Sequence, residues 1–323
     1  MIGVDRIAGW MRRRRARRRR LNPYIAGTPV FDTDLFFGRH ELTRRTLRRL
    51  DAGSVALTGE RRIGKTSFLY HLHGVLAAGN GGPRRSFPVF VDLEGVTAPG
   101  LLRALIEEAA EALAPSPRTL AELAVTSEQG EYDADDFSHD LARMIEDLRR
   151  RTGEPVRLVF LIDEIDAIRE QPQAPGDEWL RPLLVHGSRE VRVVLAGVRR
   201  CPGEPVEARR RNEALEVLEL SPLTRDEAEA LVKRPVAGVF RYEPAAVERI
   251  LELGRGRPYL IQRICLHAVN RMLDEGRTTI RLADVEAAAG PDSSRAVQPF
   301  SATERHENEG IGVRDSDDVG GAL

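Results

Sequence analysis

Gly59-Glu60-Arg61-Arg62-Ile63-Gly64-Lys65-Thr66 is the stretch that decides the fold. It fits the pattern G-x-x-x-x-G-K-[ST], in which every fixed position has a physical reason. Gly59 and Gly64 permit a backbone whose successive N–H groups turn inward around phosphate oxygens. Lys65 adds a cation for the β- and γ-phosphates, and the Thr66 hydroxyl suits Mg²⁺. The flanks agree. Residues 54–58, Ser-Val-Ala-Leu-Thr, read as a short apolar strand ending at Gly59. The helix that opens at Lys65 carries Phe68, Leu69, Leu72 and Leu76 at the spacing of one buried face. Its N-terminus, with partial positive charge, points at the anion. Lysine occurs only at Lys65 and Lys233, so one of two lysines falls where the pattern requires it. The expectation is a P-loop that binds a nucleoside triphosphate with Mg²⁺, ATP ahead of GTP. The residues expected to hold it are Gly59, Arg62, Ile63, Gly64, Lys65, Thr66 and Ser67; the alternative is a glycine-rich turn that binds nothing.

Outward from the loop, the chain alternates strands and helices. A helix is expected over about 39–50, then the loop strand and helix, then a second strand at 88–92. Helical stretches follow at about 99–113 and 135–151, with an unassigned polar segment between them. Residues 157–163, Arg-Leu-Val-Phe-Leu-Ile-Asp, form a continuous apolar run suited to a parallel strand covered on both faces. Fourth and fifth strands are expected at 190–197 and 214–220. This alternation predicts an α/β fold with a right-handed, doubly wound, parallel five-stranded sheet. After Leu220 the pattern turns helical: Thr224 is a good N-cap with Glu227 at the capping-box position. Further helices are expected near 244–253, 258–275 and 282–289. The predicted division is a basic tail at 1–21, a P-loop core at 22–220, a small all-helical lid at 221–289 and a disordered tail at 290–323.

Asp163-Glu164 closes the most apolar strand. An aspartate there suits Mg²⁺ held in the Walker B manner, and a glutamate after it suits a base for the attacking water; a helix-capping role for Asp163 is the alternative. Asp166 reads as charge at a helix N-terminus. The fourth strand runs into Gly197-Val198-Arg199-Arg200, at the sheet edge where such folds bind ligands. Arg199 could contact the γ-phosphate or be solvated loop charge. Pro258, in Gly256-Arg257-Pro258-Tyr259, suits a first helical turn. Phe37-Gly38-Arg39 could sit beside the base or be a tight turn.

The 323 residues carry a formal net charge of −1, but eight arginines between Arg12 and Arg20 make one end strongly basic. That run reads as a tail, because like charges repel and nothing apolar within it anchors a core. It leads into Leu21-Asn22-Pro23-Tyr24 and not into an apolar stretch, so an export signal is not expected. No apolar run approaches the roughly 18–20 residues of a membrane span. Two cysteines, Cys201 and Cys265, suit a reducing compartment, and a cytoplasmic location is expected.

These residues together resemble the STAND and archaeal-type ATPases within the AAA+ group of P-loop NTPases. The resemblance rests on Asn22-Pro23-Tyr24, Phe36-Phe37-Gly38-Arg39, the 59–67 loop, Leu161 to Asp166, Leu220-Ser221-Pro222-Leu223 and Gly256-Arg257-Pro258-Tyr259. It implies ATP held between a core and a helical lid whose position follows the nucleotide. In that scheme Gly38 and Arg39 lie near the adenine, Pro258 closes from the lid, and Arg199 or Arg200 senses the γ-phosphate. Arg209, Arg210 and Arg211 precede the fifth strand, where members often place an arginine finger. Members commonly carry further modules after the lid, and only a short tail follows Ala289 here. Three functions are weighed: a slow Mg²⁺-dependent ATPase that acts as a regulatory switch, with a protein partner or homo-oligomer; an ATPase acting on nucleic acid, or held at an anionic membrane, through the arginine run; and a scaffold that holds ATP without turnover, against which Glu164 argues.

Overall fold

The computed structural model describes residues 22–31, 35–79, 84–126, 132–169, 190–197 and 215–290. The 1–21 tail, Arg199, Arg200, the arginines at 209–211 and all but Gly290 of the C-terminal tail lie outside these described residues.

The chain runs α1 (His40–Ala52), β1 (Ser54–Gly59), α2 (Lys65–Ala77) and β2 (Arg85–Asp92). It continues with α3 (Leu101–Leu113), α4 (Pro117–Glu122), α5 (Ala134–Thr152), β3 (Val156–Asp163) and α6 (Ile165–Arg169). Then come β4 (Val191–Ala196), β5 (Leu215–Leu220), α7 (Arg225–Lys233), β6 (Arg241–Tyr242), α8 (Pro244–Gly254), α9 (Pro258–Asp274), β7 (Thr279–Ile280) and α10 (Leu282–Ala289).

β1 to β5 form one parallel sheet in the order β2-β3-β4-β1-β5. Parallel neighbours need crossovers, and the helices those crossovers supply cover both faces. β3 shows the result: all eight of its residues are buried. Successive side chains point to opposite faces. Leu158, Phe160 and Ile162 therefore enter the core under α3 and α5, while Val159 and Leu161 enter the core with α1 and α2. The order puts β1 between β4 and β5 and β3 between β2 and β4, so the carboxyl ends of β1 and β3, where the candidate residues sit, open on the same edge.

The polar segment between α3 and α5 forms α4 and a 3-10 turn, Ala124–Thr126. Two buried carboxylates of α5 hold it. Asp140 accepts from the Ala124 and Val125 N–H groups at 2.8 and 2.9 Å, and Asp147 accepts from the Ser116 and Thr119 hydroxyls at 2.7 and 2.9 Å.

After β5, α7 to α10 pack round a separate apolar cluster that includes Leu231, Ile250, Ile261, Cys265, Val269 and Val285. Thr224 and Glu227 form the expected capping box on α7. The unit also carries a parallel pairing of β6 with β7, two residues each, which the sequence pattern is too short to reveal. Tyr24 belongs to this cluster although it precedes the sheet by thirty residues. Among the described residues no helix is long and apolar enough to cross a membrane.

Candidate functional site

β1 ends at Gly59, where a side chain would be crowded. A Cβ there would lie 3.0 Å from the Leu220 carbonyl oxygen and 3.0 Å from Ile63 Cγ2. The loop then turns through left-handed backbone at Arg62 (φ 64°) and Gly64 (φ 100°), and α2 begins at Lys65. Glycine adopts this conformation freely, whereas an L-residue such as Arg62 pays roughly 1–2 kcal/mol. The Ile63 side chain is buried in the core, so what it offers the cleft is backbone. Lys65 Nζ folds over the loop and donates to the Gly59 and Glu60 carbonyls at 3.0 and 3.2 Å.

β3 delivers its carboxylate opposite. Asp163 is only 4% exposed and shares a hydrogen bond with the Thr66 hydroxyl. Burial pushes its carboxyl above the ordinary range and Asp92 adds to that; the Thr66 hydroxyl, the Glu164 N–H (3.0 Å) and Lys65 pull the other way. Asp92 stands beside it because the two are partners in the β2–β3 register. At Glu164 the backbone turns left-handed (φ 54°), which lifts the next residue out of the strand's alternation and into α6. The Glu164 carboxyl is also raised, first by burial and then by Asp163, Asp92 and Glu94, against the pull of Arg61. Carboxylate oxygens of Asp92, Glu94 and Glu164 lie within 4.8 Å of one another. Thr66 and Asp163 are hard oxygen donors that already touch, with a buried carboxyl that a cation would relieve. That donor set fits Mg²⁺.

Sequence and structure part company at Gly38 and not at Arg39. Arg39 lines the cleft, but its guanidinium is committed to two carbonyls, that of Ser221 and that of Ile63 at 3.4 Å. Its N–H donates to Glu227 Oε1 at 2.8 Å. Gly38 does not line the cleft; it packs on Glu227, whose Cδ would lie 2.8 Å from an added Cβ. Burial would raise the Glu227 carboxyl, yet the Thr224 and Arg39 N–H groups and the Thr224 hydroxyl outweigh it and hold it below the ordinary range. The pair thus clips the P-loop to the first helix of the helical unit.

The helical unit meets the loop directly as well. Gly256 (φ 68°) packs so closely on the 222–223 backbone that a Cβ would lie 2.4 Å from the Leu223 carbonyl oxygen, and its own carbonyl accepts from the Leu223 N–H at 2.7 Å. This sets the start of α9, so that Pro258 lines the cleft and the Tyr259 ring lies under the Arg62 guanidinium, 4.6 Å from its centroid. Arg257 pairs with Glu60 at 2.7 Å.

One cleft of about 740 Å³ gathers Gly59, Arg62, Ile63, Gly64, Lys65, Thr66, Ser67, Asp163, Glu164, Arg39 and Pro258. Sequence reasoning missed its opposite wall, which is Ile25, residues 27–30, Tyr259 and Gln262. The Asn22-Pro23-Tyr24 motif, which carried the family resemblance but was given no place in the site, was the available signal. Ser67 both lines the cleft and accepts a hydrogen bond from the Val30 N–H at 3.0 Å.

A P-loop on β1, an acidic pair on β3, this strand order and a helical unit across the cleft define a P-loop NTPase fold. The sequence profile of the novel STAND NTPase 1 family matches residues 29–267, and the chain belongs to that family. Similar solved structures share the fold at low identity. The Aeropyrum pernix ORC1 protein, solved in complex with DNA, has 18% identity and a TM-score of 0.55, covering 79% of this chain and 65% of that one. The Aeropyrum pernix ORC2 protein, solved as ADPNP and ADP complexes, has 16% identity and a TM-score of 0.53, covering 77% and 66%. The Walker-type ATPase of Pyrococcus abyssi has 16% identity and a TM-score of 0.54, covering 81% and 73%. The chain therefore spans just under two thirds of the two Aeropyrum proteins. Comparison with curated proteins gives no match.

Proposed function

We propose that the chain binds ATP with Mg²⁺ in this cleft, hydrolyses it slowly, and acts as a regulatory switch through the helical unit. The observation that carries the reading is the set of contacts by which the P-loop itself touches that unit: Arg62 on Tyr259, Glu60 with Arg257, and Ile63 through Arg39 to Ser221. Loop amides and Lys65 hold the phosphates, so Lys65 exchanges its carbonyl partners for phosphate oxygens. Thr66 and Asp163 hold the cation. Mg²⁺, when bound, supplies positive charge to the phosphate oxygens and lowers the Asp163 carboxyl from its raised value. Glu164 orients the attacking water and takes its proton, and its raised carboxyl makes it a stronger base than an exposed glutamate. A domain division at about residue 220, with the core before it and the lid after it, belongs to this reading. Arg199 as a γ-phosphate sensor remains part of it too, on sequence grounds.

Calorimetry with ATP and Mg²⁺ tests binding; unchanged affinity in Lys65→Ala would sink the reading. Amide hydrogen exchange tests the switch, with protection of α7 and α9 expected to differ between ATP- and ADP-bound protein.

A second reading is an ATPase that acts on nucleic acid, favoured by the eight arginines between Arg12 and Arg20. Phosphate contacts of that kind give strongly salt-dependent affinity. DNA and anionic-vesicle titrations across salt, with and without residues 1–20, decide between nucleic acid and membrane. ATP-dependent DNA binding that is lost on truncation would establish this second reading.

A further inference from the structure

Residues 22–31 belong to no helix or strand, yet they run from one unit to the other along the cleft. Their first half is fastened to the helical unit. Asn22 Nδ2 donates to the Leu266 carbonyl and to Asn270 Oδ1, both at 2.9 Å. The Tyr24 hydroxyl, on a ring only 3% exposed, donates to the Val232 carbonyl and accepts from the Tyr242 hydroxyl at 3.0 Å. The Ile25 N–H donates to Gln262 Oε1 at 3.2 Å.

The second half is fastened to α2, and lightly. The Val30 N–H donates to Ser67 Oγ at 3.0 Å, and Phe31 meets Tyr70 edge-on with centroids 4.4 Å apart. Phe31 is 60% exposed. Between the two attachments, Gly27 (φ 99°), Thr28 and Pro29 line the cleft. Glycine at that φ is a backbone position that can swing, and proline stiffens the arm beyond it.

We propose that residues 22–31 are an exchange gate: a strap that pivots near Gly27, stays on α9, and must leave Ser67 and Phe31's seat on α2 for nucleotide to enter or depart. The inference rests on the nucleotide reading above. The strap opens at the α2 end because, among the described residues, one hydrogen bond and a half-wet ring hold it there, against a buried tyrosine and several hydrogen bonds at the other. Ser67 is accordingly a positioning residue. It follows Thr66 in the chain, so the gate's fastening is continuous with the loop that holds the phosphates.

The test is stopped-flow binding and release of a fluorescent N-methylanthraniloyl ADP by the full chain. A gate controls both directions. Phe31→Ala and Ser67→Ala are therefore expected to raise the association and dissociation rates together, about threefold to tenfold, the scale of one such contact. Ser67→Thr, which keeps the hydroxyl, should restore the slow rates. Phe31 is exposed enough that its melting temperature should stay at the wild-type value. A rise in the dissociation rate alone would make these residues ordinary binding contacts and overturn the gate, as would rates unchanged in both variants. No binding by the unaltered chain would overturn the nucleotide reading itself, a separate result.

Discussion

The end of β3 and the start of α9 face the same cleft, but they are held in place by different means. β3 has no exposed residue, and it presents Asp163 from the middle of a sheet with helices on both faces. α9 reaches the P-loop through pairs that stand largely in water: Arg257 and Glu60 are 48% and 58% exposed. Buried packing fixes position, and an exposed ion pair contributes at most about 1 kcal/mol. The sheet side of the cleft is therefore fixed by buried packing, while the reach of α9 onto Glu60 rests on a contact that stands in water.

The largest test of this contrast is chemical. Glu164→Gln should keep ATP affinity and lower hydrolysis about 10²–10⁴-fold, the usual contribution of a positioned base. Turnover and calorimetry on the same preparation check it, and loss of binding as well would mean that the sheet edge is less preformed than argued. Next comes Gly256→Ala, at the base of the helical side. A left-handed side chain pressed on the Leu223 carbonyl should cost about 2–4 kcal/mol, read by denaturant unfolding.

A pH series should then split the two sides by sign. The Asp163 carboxyl is raised, so its favourable contribution is complete below the ordinary value of 3.8 and is lost as pH rises through the folded-state value. Asp163→Asn should consequently stabilise the nucleotide-free protein at pH 7, and the gain should vanish at low pH. The Glu227 carboxyl is lowered, so its contribution is present above the ordinary 4.5 and is lost as pH falls through the folded-state value. Glu227→Ala should cost about 1–2 kcal/mol at pH 7, as for a lost cap, and less in acid. Melting curves from pH 3 to 7 record both, and shifts of the same sign would refute the contrast. The smallest effect is Glu60→Gln, which should cost under about 1 kcal/mol and nothing in high salt.

The same contrast explains what could be read from the chain. β3 was legible because a strand covered on both faces must be apolar throughout, and residues 157–163 are apolar but for their two ends. α2 and the P-loop were legible because their chemistry is local. Helices α7 to α10 followed from period and capping. Strand order did not follow, since nothing in β5 says that it will lie beside β1. Nor did the helical-side wall: Asn22 meets Asn270 across 248 positions, and Arg39 meets Glu227 across 188. Such partners are chosen by the folded shape, and no spacing announces them. α4 was hidden for a related reason, because its support is a pair of acids on α5 that the sequence presents as ordinary helix charge.

The fastening of Asn22 and Tyr24 to the helical unit has a mechanical consequence. A load applied through the arginine-rich sequence ahead of residue 22 meets α9 first, at Leu266 and Asn270, and passes to the P-loop through the contacts that the start of α9 makes with Glu60 and Arg62. A tether at that end would act as a lever on the helical unit before it acts on the sheet.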